Sequence, residues 1–446
     1  MERNFKTIKF TSVNHYIKLL ITLFVVSISC TAFTQFSPGV YALTGVAIID
    51  ASRQKPNANQ TIIIKGQRID DIFPTGTKKL ADTIMVFPLE GKYIIPGLID
   101  THVHLTTDPS GEDEISATET VLKKMLYSGI TSVRDMAGDA RILAGLSRNA
   151  LVGDILSPNI YYSALMAGPE FFKGDERAVT STRGGISGEM PYMQAITDAT
   201  NMVVAIAEAK GTGAKGIKLY ASLSGELAKK VVAEAKKQDM RVWAHATLFP
   251  AKPFDVVQAG VNVISHADLL IFTLIGSMDS IPQEWRKKQP EEFWDKEADK
   301  IKLDELFELM KKKNTILDAT VSVNYYLVQR HPQIPILYGR YELAKRIIAK
   351  AYKAGVKICT GTDTDQKLFV QDEMKLLVKE CRFTPFDAVV AATKNSAEAI
   401  GILDSYGTIE LGRVADLLIL NKNPLYDINN IDSVSFVIKA GRIYEK

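Results

Sequence analysis

Three cysteines in 446 residues are too few for a disulfide framework. Cys30 falls in an N-terminal stretch of different character. Cys359 and Cys381 could pair only if the fold brought them together, so the fold must stand on its hydrophobic core. An excess of charge is lacking too: Lys and Arg number 54 against 51 Asp and Glu. Without residues 1–34, which hold four basic residues and one acidic one, the formal charge falls from +3 to zero. That balance gives no electrostatic case for nucleic acid or an anionic membrane as partner. Long apolar runs are missing except LLITLFVVSIS at 19–29, preceded by Arg3, Lys6, Lys9 and Lys18 and followed by CTAFTQ. The run is too short to span a bilayer comfortably, and the layout is that of a secretory signal peptide covering residues 1–34. The expected location is therefore periplasmic, secreted or on the outer surface, with a retained N-terminal anchor as the competing reading. Cys30 follows Ser27-Ile28-Ser29, a loose match to a bacterial lipoprotein cleavage box, and a lipid there would be the route to a membrane.

What remains is long enough for a barrel plus an accessory domain. Short β-rich runs alternate with helical patterns, which points to parallel α/β architecture. Eight runs qualify as strands: IIPGLID, GITSVRDM, NIYYSALM, AKGIKLYA, RVWAHA, VNVISHA, TILDATV and VKICTGTD. Helical stretches such as SGELAKKVVAEAKKQ lie between or after them. The predicted fold is a TIM (β/α)8 barrel over residues 96–404. Strand pairs before it (residues 35–95) and after it (405–446) are each too small to fold alone and are expected to join in one small composite β-sandwich. The stretch from Leu269 to Asn314, with Trp285 and Trp294, exceeds an ordinary loop; it reads equally as an exposed elaboration or as a substrate lid.

Histidine is also scarce, at six residues, and its placement is informative. His102 and His104 end the first strand run in PGLIDTHVHL, where an i, i+2 pair on a strand faces one way and can reach one ion. Asp100 shares that face and is read as orienting a ligand or the following helix. His245 ends the fifth strand run and His266 the sixth; Lys218 lies in the fourth and Asp363 closes the eighth in TGTDTD. Each station falls near the carboxyl end of a barrel strand, where such barrels place their chemistry. Singly, each has a bland reading as core histidine, turn aspartate or solvated lysine. His15 lies in the leader and His331 in HPQIP, and neither is needed.

PGLIDTHVHL, GITSVRDM, the paired HA and SHA histidines, GTDTD and the closing GTIELGRVADLLILNKNPL resemble the amidohydrolase superfamily from about Tyr41 to the C-terminus. Lys218 in its Ile-Lys-Leu context is similar to the imidazolonepropionase-like and prolidase-like branch. The resemblance implies two divalent ions, expected to be Zn2+. His102, His104 and Asp363 would hold one, His245 and His266 the other, and a carboxylated Lys218 with a hydroxide would bridge them. It implies a hydrolase of amide or peptide-like C–N bonds in a small-molecule or short-peptide substrate, with Asp363 as proton shuttle. Tyr220, two residues beyond Lys218, is a candidate donor to the oxyanion, with a plain core aromatic as the alternative. The loop MAGPEFFKGDERAVTSTRGG lacks the histidine that prolidase-like relatives often carry there, which argues against Xaa-Pro dipeptides; Lys173, Arg177 or Arg183 in it are candidate carboxylate binders. The alternatives are a mononuclear cyclic-amidine hydrolase or deaminase, a lactone or ester hydrolase, and a non-catalytic metal-binding module. Assembly into a homo-oligomer is left open.

Overall fold

The computed structural model describes residues 35–36, 39–107, 115–274, 303–364 and 367–445. The leader with His15 and Cys30, together with Trp285, Trp294 and Asp365, lies outside the described residues.

Eight parallel strands form the barrel: β1 Leu98–Val103, β2 Ile130–Asp135, β3 Asn159–Ala167, β4 Gly216–Leu219, β5 Arg241–His245, β6 Val263–Ser265, β7 Ile316–Asp318 and β8 Ile358–Cys359. They pair in that order. Backbone bonds from Thr101 N to Thr360 O at 3.0 Å and from Asp363 N to His102 O at 2.9 Å join β8 back to β1. Every residue of β1 and β2 is buried, as expected for parallel strands covered on both faces. The eight strand runs read from the sequence are thus the eight staves.

The helices follow from local chemistry. Gly225–Lys237 starts where the Ser224 hydroxyl accepts from Leu227 N at 3.2 Å, and it carries Glu226 in its first turn and Lys236 and Lys237 in its last. Those charges complement the helix dipole. Leu227, Ala228, Val231 and Ala235 recur at helical spacing and are its buried face. The loop after β3 is itself ordered as two short helices, Pro169–Gly174 and Glu176–Ser181. The strand Met193–Ala195 then pairs alongside the end of β3.

The chain ends meet in a second body, as expected, in the form of one nine-stranded sheet. Its path runs through Arg442–Tyr444, Val434–Lys439, Leu417–Leu420, Tyr93–Pro96, Val40–Ile48, Asn57–Lys65 and Arg68–Pro74. The sheet curls until its two halves share one core, in which Tyr41, Ile62 and Ile69 pack with Leu417, Phe436 and Ile443. At the seam the Tyr41 hydroxyl donates to Gly441 O at 3.0 Å across 400 residues of sequence. Gly441 lies so near Gly66 that a Cβ there would stand 2.0 Å from the Gly66 carbonyl. Cys359 and Cys381 are both buried and free. Among the described residues no helix is long and apolar enough to cross a membrane.

Candidate metal centre

The barrel delivers its polar side chains to one end. His104 is the residue after β1, His245 ends β5, His266 follows β6, and Asp363 lies four residues beyond β8. His266 and Asp363 hold positive φ of 75° and 50°; Ala137, Ser222 and Thr320, just past β2, β4 and β7, do the same. Such backbone is sparsely populated for residues other than glycine and clusters where surroundings over-determine it. Here it turns the chain sharply at the rim.

The side chains expected from the sequence to hold metal converge. Asp363 Oδ1 lies 3.1 Å from His104 Nε2 and 3.8 Å from His102 Nε2, and its Oδ2 lies 3.7 Å from His266 Nδ1. His266 Nε2 faces His245 Nε2 at 3.1 Å. Two nitrogens bound to one tetrahedral zinc at ~2.05 Å would stand roughly 3.3 Å apart, so the last pair already has the separation of co-ligands. Ligand atoms of His102, His266 and Asp363 all lie within 4.8 Å of one another. His266 therefore stands between the two groups inferred from sequence rather than wholly with His245. Lys218, 1% exposed, presents a buried Nζ with no hydrogen-bond partner.

Electrostatics favour cation binding. Burial pushes His266 down to about 3 and lowers His102. Burial likewise brings Lys218 down to about 7. Burial opposes ionisation of Asp363, yet His102, the His104 hydrogen bond and His266 hold it well below the usual carboxylate range. Neutral imidazoles, a carboxylate and an unpartnered lysine amine form a donor set that fits divalent zinc-like ions.

Sequence reasoning missed the groups that hold these ligands. Asp318 ends β7, fully buried; its Oδ2 accepts from His102 Nδ1 at 2.8 Å, from the Ser265 hydroxyl at 2.8 Å and from Arg134 Nη2 at 3.4 Å. With its Nδ1 proton held there, His102 presents a bare Nε2. Arg134 is buried over the Trp243 ring at 4.6 Å. Gly361 is required by this packing, since a Cβ there would come within 2.3 Å of Asp318 Oδ1. The available signal was an acid at the end of the apolar run TILDATV. Asp100 orients backbone rather than a ligand side chain or a helix: it accepts from His102 N, Thr362 N and the Thr362 hydroxyl, fixing two ligand-bearing segments together.

Tyr220 lies one residue past β4, its ring 4.0 Å from that of His245. Its oxygen accepts from Arg177 Nη2 at 2.9 Å, and Arg177 is in turn gripped by Asp175. Of the three loop cations only Arg177 reaches the cleft through these contacts. Lys173 pairs with Glu170 at the surface, and Arg183 is exposed. His331 follows the helix Val321–Arg330 and takes no part in these contacts.

Known proteins share the sequence pattern and the fold of this chain. Ochratoxinase of Aspergillus niger is 26% identical over 400 residues, covering 79% of this chain and 75% of that protein. Imidazolonepropionase of Pseudomonas fluorescens (strain Pf0-1) is 23% identical over 403 residues, covering 80% and 86%. The crystal structure of A. niger ochratoxinase superposes with a TM-score of 0.70 at 22% identity, covering 92% of this chain and 96% of that one. A Xaa-Pro dipeptidase with bound methionine gives 0.72 at 23% identity, covering 91% and 100%. These structural likenesses speak for the fold. The amidohydrolase family profile matches residues 93–444, the whole barrel and the returning strands, and the chain belongs to that family.

Proposed function

We propose that this enzyme hydrolyses the amide or peptide-like C–N bond of a small substrate at the carboxyl end of its barrel. The observation that carries the reading is the Lys218 amine, buried and without a hydrogen-bond partner, near enough to His102, His266 and Asp363 to interact with them electrostatically. A neutral amine there can add to carbon dioxide, forming an N–C bond and releasing a proton, and the resulting carbamate is an anionic ligand able to serve two cations at once. Divalent ions held by these groups would supply hydroxide at neutral pH and polarise the substrate carbonyl.

The remaining chemistry belongs to the chain. Asp363, kept ionised by its histidines, takes the proton lost by the attacking water on a carboxylate oxygen and passes it to the leaving nitrogen. Because Arg177 donates to the Tyr220 oxygen, the tyrosine's own hydrogen is left to point at a substrate oxygen that gains charge during attack. Buried Asp318 keeps His102 in one tautomer.

A single-ion site on His102, His266 and Asp363, as in a mononuclear cyclic-amidine hydrolase or deaminase, is the second reading, favoured by their mutual closeness. Elemental analysis after zinc-replete expression separates the two. Close to two ions per chain, with a carbamate signal from 13C-labelled carbon dioxide lost in Lys218→Ala, is the expected result. One ion and no such signal would favour the single-ion site.

A further inference from the structure

A strand that supplies none of the expected ligands touches two of them. β7 ends in Asp318, which accepts from His102 Nδ1, and two residues further on Thr320 Oγ1 lies 3.0 Å from His266 Nδ1. The backbones are tied as well, with His266 N donating to Asp318 O at 3.2 Å. Thr320 is fully buried, and it holds this place against two local preferences. Its φ of 46° lies in the left-handed region, where a β-branched residue is an outlier. It also directly precedes the helix Val321–Arg330, where a threonine hydroxyl ordinarily accepts from a first-turn amide, yet it makes no such bond. Strained backbone and a forgone cap at one buried residue share one product, the contact with His266.

That contact bears on which nitrogen of His266 is open to metal. A neutral imidazole carries one ring proton, and only the bare nitrogen can bind an ion. His266 Nε2 faces His245 Nε2 at 3.1 Å, whereas Nδ1 lies toward Asp363, 3.7 Å from its Oδ2. Binding through Nε2 places the proton on Nδ1, where it requires an acceptor. Asp363 Oδ2 is out of hydrogen-bond range, and Thr320 Oγ1 is within it.

From this geometry we infer that Thr320 is a positioning residue of the metal centre. Its oxygen accepts from His266 Nδ1–H and so commits His266 Nε2 to the ion shared with His245. Nδ1 is thereby withheld from an ion held by His102 and Asp363, close as those groups lie. The strain at Thr320 serves to sort His266 between two neighbouring sets of ligands. This inference rests on the two-ion reading above, and it concerns the metal centre whatever the substrate.

Zinc uptake tests it without an assay of turnover. Metal-free wild type, Thr320→Val and Thr320→Ser would each be titrated with zinc against a chromogenic chelator. Valine keeps the branch and the volume but accepts no hydrogen bond, whereas serine keeps the acceptor. Thr320→Val is expected to weaken one of the two ions about 10- to 100-fold and the other by less than about threefold, while Thr320→Ser stays within about threefold for both. Equal weakening of both ions, unchanged affinities in Thr320→Val, or a loss in serine as large as in valine would overturn the assignment. Wild type that takes up one ion only would sink the two-ion reading and leave this test intact. Affinity for that ion would then fall in valine and not in serine if Thr320 positions His266, and any other pattern would refute it. NMR of the 15N-histidine-labelled zinc protein reads the same point without changing Thr320. His266, identified by the signals lost in His266→Asn, should show a protonated Nδ1 and a metal-bound Nε2; a metal-bound Nδ1 would overturn the inference.

Discussion

At the scale of single residues, the placing of His102 among the other strand-end histidines rests on a buried partner, Asp318. Histidine is rare enough in this chain that four of six at strand ends form a pattern, whereas Asp318 is one acid among 51 acidic residues. Its importance comes from a contact between β7 and β1, 216 residues apart. Asp318→Asn would set an amide N–H against the His102 and Arg134 donors or leave one of them unpaired. Metal affinity should fall about 10- to 100-fold, as it does for lost partners of ligating histidines. Competition with a chromogenic chelator measures this, and an unchanged affinity would refute the assignment. Asp363→Asn should behave differently. Asparagine tolerates the positive φ at this position, so the backbone should hold, while turnover drops about 100- to 10,000-fold for want of a proton acceptor. His245→Asn, by contrast, should lose metal together with activity. Near wild-type turnover in Asp363→Asn at full metal content would remove it from the proton path.

At the scale of elements, one helix is capped by another because its own cap residue is engaged elsewhere. Thr320 precedes the helix Val321–Arg330, but its hydroxyl is bonded to His266 Nδ1 at 3.0 Å, and it makes no side-chain cap bond. Glu373, on the helix Val370–Cys381, takes over by accepting from Val321 N at 3.2 Å and Ser322 N at 2.8 Å, and from the Ser322 hydroxyl. Glu373→Ala leaves two buried N–H groups unpaired and should cost ~2–4 kcal/mol of stability. Urea denaturation would show it; a loss within ~0.5 kcal/mol would mean that water or a neighbour replaces the carboxylate. The strands themselves were readable because buried parallel strands are short apolar runs that stop at polar residues. The helices in the loop after β3 were less so: Pro169–Gly174 and Glu176–Ser181 have six residues each, too few for a periodic signal. Arg177 was read only as one of three loop cations, and its contact with Tyr220 went unread with those helices.

At the scale of the whole molecule, the barrel and the composite sheet are joined by a buried charge. Lys439, 5% exposed on a sheet strand, donates to Ala150 O at 3.0 Å in the barrel helix Ala140–Val152. Burial brings its amine down to about 8, against the pull of Asp416. The unfolded chain keeps that proton up to about pH 10.4. Between these values the unfolded state binds more protons, so this group's contribution to stability rises with pH, by up to ~1.4 kcal/mol per unit, and is lost as pH falls to about 8. Lys439→Met removes the slope. Relative to wild type it should therefore stand better at pH 7 than at pH 10, read from urea midpoints at the two values; an identical difference at both would show that the amine stays charged in the fold. That the chain ends meet was legible from two flanks each too small to stand alone. That they form one curled sheet was not, because it depends on hairpin turns at Gly66 and Gly441 touching across the full length of the barrel sequence.

The Tyr41–Gly441 bond has a consequence during synthesis. Its two ends leave the ribosome 400 residues apart, which at roughly 5–20 residues per second is a delay of ~20–80 s. Throughout that interval the strand Val40–Ile48 and its neighbours lack the final strands of their sheet, and before it ends all eight barrel strands have been made. Residues made late thus seal residues made early, and a nascent chain halted short of Val434 would carry a complete barrel beside an open, apolar sheet edge, the kind of surface that recruits other chains.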